Sequence, residues 1–458
     1  MTSRADRLLV ALALSSGPLV SLGLARFAYA LLLPEMRADL GWTWSQAGAL
    51  NTANAAGYLL GALVAAPVAR RLGTGRAFLL GSAVCTAALL LTAVTVAYPL
   101  LLVARAAAGV GGAWAFVLGA ALVVAAGAEG TPRRAALMLG LYYGGAGGGM
   151  TLAGLLVPWV LDRSDAGGGT GGGADGASGV GADGSSGVGA DGSSGVGADG
   201  SSGLGAGGGP GVGPDGLLAG LAGWQLGWVA LAVLAGVATA VAALALRSTS
   251  DPAPPAAEHR RWDRRQVGWL SAGYTFFGLG YIAYLTFVIA FLQEQGVGLR
   301  TVAVFWVVVG LAASAGWFVW GPLIGRLGGA RAMTVLMTVL ALGTVLPVVV
   351  AQTWAFLLSG VVVGGTFLSV VTAMTVGVRR ALPAGLWTSG LAFTTAAFGA
   401  GQTVGPWLTG WFSDRLDSLG AGLVLSAALL LVGALLVLPQ REPAAPWGTT
   451  RARPASDP

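Results

Sequence analysis

The sequence predicts an all-α membrane protein of twelve transmembrane helices in two pseudo-symmetric six-helix bundles. Three observations predict it: an apolar composition with few charges, twelve apolar segments of spanning length, and a 255-residue shift that superposes one half of the chain on the other. Of 458 residues, 55% are hydrophobic and only 10% are charged, where soluble proteins carry roughly 25% charged residues. The mean hydropathy is +0.76.

A bilayer core about 30 Å thick takes about 20 apolar residues of helix. In the first half, residues 8–33, 45–68, 77–97, 99–127, 135–161 and 217–246 meet this requirement. After a connector come 267–293, 302–324, 332–351, 354–377, 387–412 and 419–439. The expected organisation is a first bundle over 1–161 and 217–246, an external loop over 162–216, a connector over 247–266, a second bundle over 267–439 and a tail over 440–458.

All 25 basic residues are arginine. Without lysine the chain has no Walker A lysine for nucleotide phosphates and no Schiff-base lysine, so any transport must run on gradients. The single histidine, His259, lies in a charged connector and the single cysteine, Cys85, in an apolar run. No metal cluster or internal disulfide is expected, and the apolar segments lack the histidines an intramembrane protease needs. The expectation is a non-enzyme without cofactor or metal. The pI of about 10.0 is a matter of topology and not of nucleic acid, because the arginines are spread between apolar segments.

Positive loops stay in the cytoplasm. With Met1 inside, 19 arginines fall on inner segments and four, Arg37, Arg163, Arg300 and Arg415, on outer ones, so both termini are expected in the cytoplasm. Arg26 and Arg105 lie within spans. The first apolar run follows Arg4 and Arg7 as a signal peptide would, but it is too long and contains an arginine; an uncleaved helix is expected.

Residues 162–216 are rich in Gly, Ser, Asp and Ala and contain four tandem octads, ADGASGVG, ADGSSGVG, ADGSSGVG and ADGSSGLG, over 174–205. Such a composition cannot bury enough apolar surface to offset chain entropy, which predicts a disordered external loop. A calcium reading fits poorly, since the calcium repeat has nine residues and a large apolar residue that these octads lack. The connector has five arginines and a Pro-rich stretch, and reads as a lipid-facing linker.

Under the 255-residue shift, the string Gly23-Leu24-Ala25-Arg26-Phe27-Ala28-Tyr29 falls on Gly278-Leu279-Gly280-Tyr281-Ile282-Ala283-Tyr284. Pro67 then falls on Pro322, Arg71-Leu72-Gly73 on Arg326-Leu327-Gly328, and Arg76 on Arg331. Two like halves imply a pseudo-two-fold along the membrane normal with a midplane cavity between them.

The chain resembles the major facilitator superfamily over essentially its whole length apart from the octad loop. Arg70-Arg71-Leu72-Gly73-Thr74-Gly75-Arg76 is similar to that family's cytoplasmic motif between spans two and three, and Arg326-Leu327-Gly328-Gly329-Ala330-Arg331 to its copy in the second half. Arg105-Ala106-Ala107-Ala108-Gly109-Val110-Gly111-Gly112 resembles the fourth-span motif of an arginine followed by small residues. The first-span string with Leu33-Pro34, Gly278-Leu279-Gly280-Tyr281 and Gly401-Gln402-Thr403-Val404-Gly405-Pro406 resembles the YbfB/YjiJ-type branch. The resemblance implies the major facilitator fold, alternating access, and gating by Arg71, Gly73, Arg76, Arg326, Gly328 and Arg331. Two departures matter. Arg70 stands where the family pattern has an aspartate, so the usual cytoplasmic charge clamp cannot form as in that pattern. The run Gly144 to Gly149 lacks the proline of the antiporter signature.

An arginine at membrane depth costs about 2.5 to 3.5 kcal/mol on insertion scales, which makes Arg26 and Arg105 functional candidates. The alternative for each is that it snorkels or bonds carbonyls of a neighbouring helix. No Asp or Glu lies inside a span; Glu35, Asp39, Glu294 and Asp414 border the outer ends and are the coupling candidates. Two arginines without membrane carboxylates leave a positive cavity that an anionic substrate would neutralise.

Helical spacing places Asn51, Asn54 and Tyr58 on one face of the second span, Tyr274, Tyr281 and Tyr284 on one of the seventh, and Thr395, Phe398 and Gln402 on one of the eleventh. With Tyr29, Arg26, Arg105 and Tyr142 they make a candidate pocket for a small, partly apolar solute; the alternative is that the tyrosines and asparagines only join helices. The expected function is a secondary active or facilitative transporter of a small organic solute, with an anion preferred, in the cytoplasmic membrane. Its site would be lined by spans one, two, four, five, seven and eleven. Expected partners are a small-molecule substrate and the lipid bilayer, with a coupling proton left open, no nucleic acid, and a monomeric state. The competing readings are a proton-coupled multidrug or sugar exporter and a non-transporting receptor or scaffold.

Overall fold

Apolar runs with no backbone partner in lipid must satisfy their own N–H and C=O groups, and the helix is the structure that does so within one segment. The computed structural model describes residues 4–127, 132–168, 221–247 and 262–442. The octad repeat, most of the connector and the end of the tail lie outside the described residues, and with them the loop, linker and calcium readings.

The first span, α1 (Leu8–Leu40), is followed by α2 (Trp44–Leu72), α3 (Thr74–Val94), α4 (Tyr98–Gly127), α5 (Pro132–Gly168) and α6 (Gly223–Leu246). The second six are α7 (Gly268–Glu294), α8 (Leu299–Leu327), α9 (Gly329–Val349), α10 (Thr353–Ala381), α11 (Trp387–Leu416) and α12 (Leu419–Val437). Both described chain ends, Arg4 and Glu442, lie on one side, here called the near end; the opposite side is the far end. The predicted spans are recovered with shifted ends. α1 runs seven residues past the predicted 33, and α5 continues to Gly168, into the segment read as loop. Eleven of the twelve helices are long and apolar enough to cross a membrane by composition. α11 is the exception: Thr, Ser and Gly line it and Asp414 and Arg415 end it, as suits a helix packed against protein on two sides.

The packing repeats the sequence symmetry. α2 with α4 is matched by α8 with α10, α3 with α6 by α9 with α12, and α1 with α5 by α7 with α11. Between bundles α2 packs on α11 and α5 on α8, and α1 meets α7. Among the described residues, four glycines have positive φ and fall into two pairs under the same shift: Gly41 (65°) with Gly296 (77°), and Gly73 (87°) with Gly328 (85°). Each ends a helix in a conformation that costs glycine nothing and other residues much more.

One departure from symmetry concerns α1. Residues Leu19–Phe27 form a π-helix, with Ala28 N–H donating to Gly23 O at 3.1 Å, whereas α7 is a regular α-helix through the matching stretch. The wide turns follow Pro18, which has no N–H to give, and π-helical stretches occur frequently at functional sites. Gly23 lies against Gly149 of α5, so the widened turns are accommodated by the glycine run predicted to lack an antiporter proline. Within that run Gly145 meets Ser15 of α1, Gly147 meets Gly310 and Ser314 of α8, and Gly144 and Gly148 face open space.

Candidate functional site

Four of the sequence-predicted residues meet at the centre of the molecule. Arg26 is the next-to-last residue of the π-helical stretch, 18 residues from Leu8 and 14 from Leu40, close to mid-depth and slightly toward the far end. Tyr58 is 14 residues from each end of α2, Tyr281 is 13 from each end of α7, and Gln402 is 15 and 14 from the ends of α11. Arg26 Nη2 donates to Gln402 Oε1 at 2.8 Å, and the Tyr281 hydroxyl donates to the same oxygen at 3.2 Å. The Arg26 guanidinium carbon sits 5.6 Å from the centroid of the Tyr58 ring. Arg26 is 2% exposed and Gln402 is fully buried.

This cluster spans both bundles. Among the described residues no salt bridge reaches Arg26, and both its Nε and the Gln402 Nε2 are buried without a hydrogen-bond partner. A buried donor left unpaired costs about 1–3 kcal/mol, more when charged.

Aromatic rings surround the cluster. Tyr281 is stacked with Phe277 at 4.6 Å, Phe398 at 5.7 Å and Phe367 at 5.9 Å, and Tyr274 with Phe398 at 4.6 Å. Phe27, beside Arg26 in sequence, meets Phe367 edge-on at 5.8 Å. Phe27, Phe277 and Phe367 escaped the sequence reading because it followed polar residues; Phe277 could have been found, three residues from Tyr274 and four from Tyr281. Phe367 brings α10 to the site, which the expected lining omitted.

The other candidates join helices. Arg105 Nη1 donates to Ala25 O, and its guanidinium lies 4.9 Å from the Tyr29 ring centroid and 5.4 Å from that of Trp228. It thus takes the carbonyl-bonding role inside the first bundle. Tyr29 donates to Ala47 O at 2.8 Å and Asn54 to Arg105 O at 3.2 Å. Tyr142 donates to Phe116 O at 2.6 Å, and Tyr284 is bonded to Ser359 Oγ at 2.6 Å. Asn51 reaches across the bundles to Thr286 Oγ1 at 2.6 Å, with its Oδ1 buried and unpartnered.

The four acids all lie toward the far end, away from Arg26. Asp39 accepts from Trp224 Nε1 at 2.8 Å, and Asp414 accepts from the N–H of Trp44 at 2.7 Å and of Ser45 at 2.8 Å. Glu35 borders Gly223, and Glu294 is exposed at the end of α7. The gating candidates Arg71, Arg76, Arg326 and Arg331 are exposed around the two positive-φ glycines, Gly73 and Gly328, at the near end. Sequence reading missed Glu442, which accepts from Gly329 N–H at 3.1 Å and from Ala330 N–H, and pairs with Arg380 at 3.6 Å. It caps α9 beside the second copy of the loop motif.

Comparison with known proteins fits this geometry. A family model described as an uncharacterised MFS-type transporter YbfB matches residues 18–171 and 196–438. The chain belongs to this YbfB-type family of the major facilitator superfamily. No curated protein matches it. Two solved structures of a bacterial homologue of the human lysosomal transporter Spinster share the fold. The inward-facing, unoccupied form has a TM-score of 0.66 at 15% identity, covering 97% of this chain and 100% of that one. The inward-facing, occupied form has a TM-score of 0.66 at 15% identity, covering 96% and 97%. As a YbfB-type facilitator, the protein is a multi-pass membrane transporter of a small-molecule substrate that works by alternating access.

Proposed function

We propose that this facilitator carries a small organic anion across the cytoplasmic membrane, with Arg26 as the anion-binding residue. The observation that carries this reading is a mid-depth guanidinium with a neutral amide for a partner and an unpaired Nε, where a carboxylate would supply both charge and acceptors. Arg105, whose Nε and Nη2 are also buried without a hydrogen-bond partner, bonds Ala25 O within the first bundle, whereas Arg26 joins the two bundles through Gln402, so Arg26 is the cation assigned to the substrate. The arginine count of 19 against four supports placing the near end, and both termini, in the cytoplasm. The carrier acts as a monomer. Because no acid among the described residues pairs with Arg26, facilitated transport or exchange of the anion fits better than a proton-carrying carboxylate at the site; a coupling proton would use the far-end acids. A cation exporter is disfavoured by the same charge.

The test is counterflow into proteoliposomes loaded with the same unlabelled solute, across monocarboxylates, neutral sugars and cationic dyes. Accumulation of monocarboxylates alone supports the reading. Accumulation of sugars or dyes in their place rejects it, and a ligand that binds without any flux would favour the receptor alternative.

A further inference from the structure

Around Gln402 several donors compete for one neutral oxygen. Arg26 Nη2 and the Tyr281 hydroxyl both donate to Oε1, while Arg26 Nε and Gln402 Nε2 are buried with nothing to bond. The acceptor comes from α11 of the second bundle and the charge from α1 of the first. A guanidinium presents its donors as a fork that suits the two oxygens of a carboxylate, yet here one prong meets an amide and another is left open.

We infer that the Gln402 amide oxygen is a tethered stand-in for one oxygen of the substrate, and that the substrate is an aromatic monocarboxylate. This rests on the anion reading above and extends it. In the empty carrier the amide holds Arg26. An incoming carboxylate displaces it, one oxygen taking Nη2 and the Tyr281 hydroxyl and the other taking Nε.

Two further observations set the class. Among the described residues one guanidinium, Arg26, bonds across the bundles at the site; Arg105, whose Nε and Nη2 are also buried without a hydrogen-bond partner, bonds Ala25 O and lies against the Tyr29 and Trp228 rings within the first bundle, so the cross-bundle site balances one negative charge. Tyr281 belongs both to the donor set and to a near-parallel group of rings, at 12° to Phe277, 12° to Phe367 and 20° to Phe398. Such faces favour a flat ring in offset stacking. A carboxylate within reach of the Tyr281 hydroxyl therefore carries its ring alongside these faces, as benzoate or phenylacetate would. Displacement of Gln402 also changes the bond that joins the bundles at mid-depth, giving the substrate the differential interaction with two states that alternating access needs.

The experiment is calorimetric titration of the purified full-length protein with benzoate, phenylacetate, cyclohexanecarboxylate, benzamide and phthalate. Wild type is expected to bind one of the two aryl carboxylates about tenfold tighter than the saturated analogue, the worth of one stacking contact. Benzamide, which has no charge, and phthalate, which has one too many, are expected to bind more weakly still. Gln402→Glu ties a carboxylate to Arg26 permanently and should weaken aryl carboxylate binding about a hundredfold, the worth of two charge-assisted hydrogen bonds. Gln402→Ala removes the competitor and should bind at least as tightly as wild type. If carboxylates bind but ring and saturated analogue do not differ, or if Gln402→Glu leaves affinity unchanged, this inference falls and the anion reading stands. If none of the carboxylates binds, or if benzamide binds as tightly as benzoate, both fall.

Discussion

Asp414, at the far end of α11, caps the first turn of α2 by accepting the backbone N–H of Trp44 at 2.7 Å, with Ser45 N–H at 2.8 Å on its other oxygen. The two helices belong to different bundles, so this carboxylate is a tie between them. Around it the bundles touch closely: Gly410 lies against the Trp44 backbone and Gly48 against that of Pro406. The near end has Arg70 exposed where the family pattern has an aspartate. The charged cap that holds the bundles together is thus at the far end.

Asp414→Ala should therefore loosen far-end closure. Hydrogen bonds to a charged acceptor are worth about 1.5–3 kcal/mol each, so loss of the pair should shift the balance of states at least about tenfold toward far-end opening. Spin labels at Ala97→Cys and Gln352→Cys, one on each bundle's exposed far end, would report longer distances in the variant. Unchanged distances would show that packing of Gly48 and Gly410 suffices.

The two membrane arginines should behave oppositely in stability. Arg105→Gln loses contact with two rings and leaves Ala25 O exposed to an empty space, a loss of about 2–4 kcal/mol from the carbonyl and the cation–π contacts. Arg26→Gln removes an uncompensated buried charge and should leave Tm unchanged or raise it in the absence of ligand, as expected where a site is built at the expense of stability. Thermal unfolding of both variants in detergent checks the difference; equal losses would assign Arg26 a structural role.

Close packing of α2 on α4 makes a third expectation. A Cβ at Gly57 would collide with the backbone of Ala106, and one at Gly109 with that of Asn54. Gly57→Val should lower Tm markedly, since backbone must move and overpacking costs about 1–3 kcal/mol. Gly148→Ala, with nothing within 4 Å of the added carbon, should be tolerated and should gain slightly from helix propensity. A comparison of yield and melting temperature separates the two kinds of glycine.

The sequence made the fold legible because its signals were of long range and strong. Apolar runs of spanning length gave the helices, and Pro67 with Pro322 and Gly73 with Gly328 gave the symmetry of the bundles. The ends of α1 and α5 were less legible, since the polar residues Glu35, Arg37, Asp162 and Arg163 continue helices beyond the apolar stretch. In the site, Arg26 was visible as a charge within a span and Tyr58, Tyr281 and Gln402 as residues at helical spacing, and the four lie within one cluster. Tyr29, Tyr142 and Tyr284 are likewise tyrosines within apolar spans but turn toward neighbours in their own bundles, which the sequence alone does not distinguish. The π-helical stretch of Leu19–Phe27 carried no periodic signal, and Phe367 could not be told from core until α10 was seen beside α7.

The most direct test of the anion site is counterflow of a monocarboxylate that wild type accumulates, repeated for Arg26→Gln and Arg26→Lys in proteoliposomes of equal protein content. The account predicts loss of flux in Arg26→Gln and partial retention in Arg26→Lys, which keeps the charge but not the fork. Undiminished flux of the anion in Arg26→Gln would contradict it.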